Sequence, residues 1–106
     1  MFDTMICGGT VIDGTGRPGF RADVGITAGK IAALGSLSAA QAGCVIDASG
    51  RAVTPGFIDI HRHADAAAFR PGYGELELRQ GLTTIVNGNC GLSAAPFGPD
   101  NEAAIR

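Results

Sequence analysis

With 106 residues, the chain is long enough for one modest domain and falls short of the roughly 200 residues that a closed α/β barrel needs. A formal net charge of −2, with 17% charged residues, leaves no basic field for nucleic acid or anionic lipid. Apolar residues at 45% argue against a disordered chain, and none of their runs is long enough to span a membrane.

The first half reads as short strands and turns. Met5-Ile6-Cys7 and Thr10-Val11-Ile12 flank Gly8-Gly9, and Asp13-Gly14-Thr15-Gly16 makes a turn-rich break. Asp23-Val24-Gly25-Ile26-Thr27 and Lys30-Ile31-Ala32-Ala33-Leu34 flank Ala28-Gly29, the pattern of a hairpin with a two-residue turn. Residues 38–42 predict a loop or helical turn. Cys44-Val45-Ile46-Asp47 and Arg51-Ala52-Val53-Thr54 predict two more strands. Residues 1–54 therefore fit part of a small β-sandwich domain.

Pro55-Gly56 marks a boundary, and the pattern then changes. Phe57-Ile58-Asp59-Ile60 is a compact buried-strand candidate. Glu75-Leu76-Glu77-Leu78-Arg79 predicts a short helix stopped by Gly81. The β-branched run Leu82-Thr83-Thr84-Ile85-Val86 predicts a second strand. Strand, helix and strand over about 30 residues make the βαβ unit of a parallel sheet. Asp100 is placed to cap a further helical stretch, residues 101–106. The fold class is thus mixed β and α/β. A lone βαβ unit leaves strand edges and faces uncovered, so the chain is expected to be part of a longer protein or to oligomerise.

Both histidines of the chain fall in "PGFIDIHRHAD". If residues 57–63 form a strand, its alternation turns His61 and His63 to one face. The second strand ends at Asn87-Gly88-Asn89-Cys90-Gly91, and parallel neighbours present their C-terminal ends on one rim. Cys90 can then approach the two imidazoles, and two histidines with a thiolate are zinc ligands. Taken singly, a His-x-His pair is common on surfaces and a lone cysteine is commonly a small buried hydrophobe.

Around them, Asp59 shares strand parity with His61. It could orient a ligand imidazole or be satisfied by backbone donors. Asp65 could meet a ligand, a substrate group or water. Asn87 and Asn89 could contact substrate, though turn chemistry accounts for them as well. Arg62, on the other face, reads as structural, and Cys7 and Cys44 read as packing. Three widely spaced cysteines argue against a disulfide framework and for a reducing compartment, the cytoplasm. The N-terminus has no pattern of a signal peptide.

The segments "GGTVIDGTG", "ADVGITAGKIAALG", "VIDASGRAVTPGFIDIHRHAD" and "QGLTTIVNGNCG", in that order, resemble the start of the amidohydrolase superfamily. The resemblance runs from about Met5 to Pro96 and is nearest to the N-acyl-D-amino-acid deacylase (D-aminoacylase) branch. "PGFIDIHRH" is shared by many members, including dihydroorotases, hydantoinases and allantoinases; "GNCG" is the narrower signal. The resemblance implies a metal-dependent (β/α)8 barrel, begun at residues 55–106, with a small β-sandwich built from both chain ends. It implies that His61 and His63 are the first-strand metal pair and that Cys90 binds or bridges zinc, one or two ions in the full enzyme. Two further histidines and the aspartate acting as general base would lie beyond Arg106, so no catalytic base is expected in this stretch. The implied activity is amide hydrolysis of a small-molecule N-acyl-D-amino acid, with this stretch alone inactive. The alternatives are a cyclic amidohydrolase of the dihydroorotase or hydantoinase type, or a non-catalytic assembly module.

Overall fold

The computed structural model describes residues 1–37, 42–65, 67 and 70–93. Residues 38–41 of the turn predicted at 38–42, and the predicted helix at 101–106, lie outside them. The chain divides into two units, Met1–Pro55 and Gly56–Arg106. Among the described residues no helix is long and apolar enough to cross a membrane.

The first unit is built on β1 (Phe2–Val11). β2 (Phe20–Thr27) pairs with it antiparallel, and β3 (Lys30–Gly35) pairs antiparallel with β2. On its other edge β1 carries β4 (Ala42–Asp47) and β5 (Ala52–Val53), both parallel to it. The order is β3-β2-β1-β4, with β5 continuing the β4 edge of β1. These described residues form a single five-stranded sheet, and no second layer of the expected sandwich is among them. Met5, Val11, Val24 and Ala48 are its buried apolar residues. The β2–β3 hairpin turns at Ala28 (φ 51°) and Gly29 (φ 71°), both left-handed as a two-residue hairpin turn requires. The Ala28 N–H donates to Asp3 Oδ2 (2.6 Å), which offsets part of the strain of an alanine in that region.

Gly8-Gly9 is not the turn that its composition predicts. The strand runs straight through it, with a register shift between Ile6 and Gly9 against β2. Gly8 adopts φ 70°, the conformation of a bulge residue that glycine takes without a Cβ clash. The facing edge breaks at the same level. The Ala48 N–H donates to the Cys7 carbonyl (2.8 Å), and the Thr10 N–H to the Arg51 carbonyl (2.9 Å). The turn between β4 and β5 thus spans the bulge.

Asp23 fastens this irregularity. Its Oδ1 accepts from the Gly8 N–H (2.8 Å), and its Oδ2 from the Leu37 N–H (2.9 Å). These backbone donors, Leu37 first and Gly8 second, hold the Asp23 carboxyl below the usual carboxylate range. A group whose pKa is lowered by folding stabilises the fold above its unfolded pKa, about 4, and loses that contribution as pH falls through the folded value. Stability is therefore expected to drop on acidification below about pH 4, and Asp23→Asn to flatten that slope. Thermal melts from pH 7 to pH 2 check this. An unchanged slope in Asp23→Asn would remove Asp23 from the account.

The cysteines of this unit differ from expectation in one respect. Cys7 is half-buried, and burial first, then Asp23 and Asp47, push its thiol up. Cys44 is exposed among the described residues: it lies on β4, where every residue from Gly43 to Asp47 is exposed.

The second unit contains β6 (Phe57–Asp59), α1 (Glu75–Arg79) and β7 (Leu82–Ile85), with β6 and β7 parallel. α1 ends where the Gly81 N–H donates to the Leu78 carbonyl (2.9 Å). Gly56 precedes β6 at a very close approach. A Cβ there would lie 2.1–2.7 Å from the Thr83 side chain on β7, so the Pro55-Gly56 entry is compatible only with glycine.

Candidate metal centre

Strand β6 is shorter than predicted. It stops at Asp59, so strand alternation alone does not pair His61 with His63. Two backbone hydrogen bonds nevertheless carry the pairing onward. The Val86 N–H donates to the Asp59 carbonyl (2.8 Å), and the Arg62 N–H to the Val86 carbonyl (3.2 Å). The rings of His61 and His63 meet edge to face, with centroids 5.4 Å apart and planes at 75°.

Cys90 comes from the short 3₁₀ turn Asn89–Gly91 that follows β7. Its backbone is left-handed, φ 57° and ψ 25°, a region costly for a residue with a Cβ. Its sulfur lies 3.4 Å from His61 Nε2. Ligand atoms of His61, His63 and Cys90 all lie within 4.8 Å of one another, and all three residues are exposed. Zinc bonds of about 2.0 Å to nitrogen and 2.3 Å to sulfur put neighbouring tetrahedral ligands about 3.3 to 3.7 Å apart. The Cys90–His61 separation matches that edge. The widest pair must close by at most about 1.5 Å, a movement that an exposed imidazole makes by rotating. Two nitrogens and one sulfur fit zinc in donor type and reach.

The surrounding residues divide clearly. Asp59 Oδ1 accepts from the backbone N–H of His61 (3.1 Å), and its Oδ2 lies 3.6 Å from Arg62 Nη1. It braces the loop backbone and reaches the His61 main chain rather than its imidazole. Arg62 Nη2 pairs with Glu77 Oε1 at 2.5 Å, and Glu77 is 9% exposed on α1. Sequence reasoning missed this partner of Arg62. Asn89 Nδ2 donates to the Val86 carbonyl (2.9 Å) and to the Arg62 carbonyl (3.3 Å), and Asn87 Oδ1 accepts from the Ala64 N–H (3.3 Å). Both amides thus hold backbone. Asp65 is half-buried beside this loop.

Similarity to known proteins coincides with this site. Residues 44–103 match the model of the amidohydrolase family. An N-acyl-D-glutamate deacylase of Alcaligenes xylosoxydans xylosoxydans is 54% identical over 104 residues, 96% of this chain and 21% of that protein. The structure of a D-aminoacylase described for its binuclear metal centre superposes with a TM-score of 0.84 at 49% identity, over 92% of this chain and 20% of that one. The N-acyl-D-glutamate deacylase of Bordetella bronchiseptica was solved with zinc and a phosphonate mimic of the tetrahedral intermediate. It superposes with a TM-score of 0.86 at 49% identity, over 98% of this chain and 22% of that one. The chain therefore spans about a fifth of the length of the relatives it matches. Its match to the family model covers more than half of its residues, and the chain belongs to the amidohydrolase family.

Proposed function

We propose that the protein containing this stretch is a zinc-dependent hydrolase of carbon–nitrogen bonds other than peptide bonds. Its reaction is cleavage of the amide of an N-acyl-D-amino acid to a carboxylate and the free D-amino acid. The observation that carries the reading is the 3.4 Å approach of Cys90 Sγ to His61 Nε2 between the loops that follow two successive parallel strands. The deacylases named above support the substrate class.

In this reading residues 1–54 belong to the small β-sandwich and residues 55–106 open the (β/α)8 barrel. His61, His63 and Cys90 hold the metal, one or two zinc ions in the full protein. Zinc, when bound, supplies Lewis acidity: it polarises an amide carbonyl and makes water acidic near neutral pH. None of the three ligands is free to act as the general base, which the remainder of the protein provides. Asp65 lies near enough in sequence to the ligand pair to meet substrate. Free cysteines fit a reducing cytoplasm. Alone, the 106 residues bind zinc weakly and do not turn over. The cyclic amidohydrolase reading ranks second because it gives Cys90 no role, and a non-catalytic module gives none to any of the three.

Assay of the full-length protein separates these readings. We expect release of free amino acid from N-acetyl-D-amino acids, with no release from the L-enantiomers. Ring opening of hydantoins or dihydroorotate without deacylation would overturn the proposal.

A further inference from the structure

The two metal-binding loops leave different strands, and backbone pairing ends before either reaches its ligands. Beyond the Arg62 N–H to Val86 carbonyl bond, side-chain amides take over. Arg62 stands between the two histidines. Its N–H is held by Val86, its carbonyl by Asn89 Nδ2, and its guanidinium by Glu77 and Asp59. Ala64, the residue after His63, is 7% exposed and donates its N–H to Asn87. Each histidine is therefore flanked by residues fixed to the loop that carries Cys90. Asn89 also grips the Val86 carbonyl at its own end and directly precedes the cysteine.

We infer that Asn89 and Asn87 are positioning residues that clasp the His61–His63 loop to the Cys90 loop and set the spacing of the ligands. The inference rests on the zinc reading above. Asn89 acts as a donor that bridges two carbonyls, and Asn87 as an acceptor for one N–H. Their roles therefore respond differently to substitution. Asn89→Ala removes the bridge, and Asn87→Ala removes the acceptor. Asn87→Asp keeps an acceptor at the same reach. Loss of an outer partner of a metal ligand weakens metal binding by about 10- to 100-fold.

The full-length protein, stripped of metal and titrated with cobalt(II), and with zinc in competition, tests this. Thiolate-to-cobalt charge-transfer absorption reports whether Cys90 is in the coordination sphere. We expect the unmodified protein to develop that absorption. Asn89→Ala should lose absorption per bound cobalt and bind zinc about 10- to 100-fold more weakly. Asn87→Ala should move the same way, and Asn87→Asp should retain both signals. Unmodified affinity and absorption in Asn89→Ala would overturn the clasp while leaving the zinc site standing. Absence of the absorption from the unmodified full-length protein would overturn the zinc site and the clasp with it. If Asn89→Ala fails to fold, the Asn87 pair decides: equal behaviour of its Ala and Asp variants would overturn the inference.

Discussion

Cys90→Ala is expected to weaken zinc binding by at least about 100-fold, because a ligand contributes more than the outer partners whose loss costs 10- to 100-fold. The sulfur is the softest donor of the three and, as thiolate, the only charged one, so it contributes both bond strength and charge neutralisation. Without it the exposed His61–His63 pair chelates as two imidazoles on one loop. Cys7→Ala and Cys44→Ala are the controls. Both residues sit on strands of the first unit and belong to no cluster of potential ligands among the described residues. Zinc competition with a chromogenic chelator measures all three variants. Equal affinity in Cys90→Ala and the unmodified chain would show that the sulfur is not a ligand.

The second large effect is expected at Arg62. Its side chain is 36% exposed, whereas the side chain of its partner Glu77 is only 11% exposed. Arg62→Met leaves the Glu77 carboxylate buried without its cation. Breaking a fully buried pair costs about 3 to 5 kcal/mol, and partial exposure of the arginine reduces this to about 2 kcal/mol. The loss falls on α1 and on the histidine loop together, because the pair joins them. Amide exchange at the Leu78 and Val86 N–H groups, followed in urea, reads it locally. The double variant Arg62→Met with Glu77→Met should recover most of the loss, since neither charge is then stranded. A double variant no more stable than Arg62→Met would mean that packing rather than charge pairing accounts for the effect.

Much of the architecture was legible because it follows from local pattern. Ala28-Gly29 between two apolar runs specified a hairpin, and Glu75–Arg79 before Gly81 specified a short helix between parallel strands. The proximity of His61, His63 and Cys90 followed from where two such strands end. Features that depend on register were not legible. Gly8-Gly9 has turn composition, yet it is a bulge because the Asp23 carboxylate receives the Gly8 N–H from a neighbouring strand. Cys44 has strand-core composition but lies on a face that the described residues leave uncovered. The backbone roles of Asn87 and Asn89 depend on partners 23 and 27 residues away, which only the parallel pairing brings within reach.

The coordination sphere of zinc bound to the full-length protein tests the central claim most directly. Metal-edge X-ray absorption should resolve one sulfur near 2.3 Å together with imidazole nitrogens near 2.0 Å. A shell of nitrogen and oxygen alone, in a chain whose Cys90 remains reduced, would contradict the account.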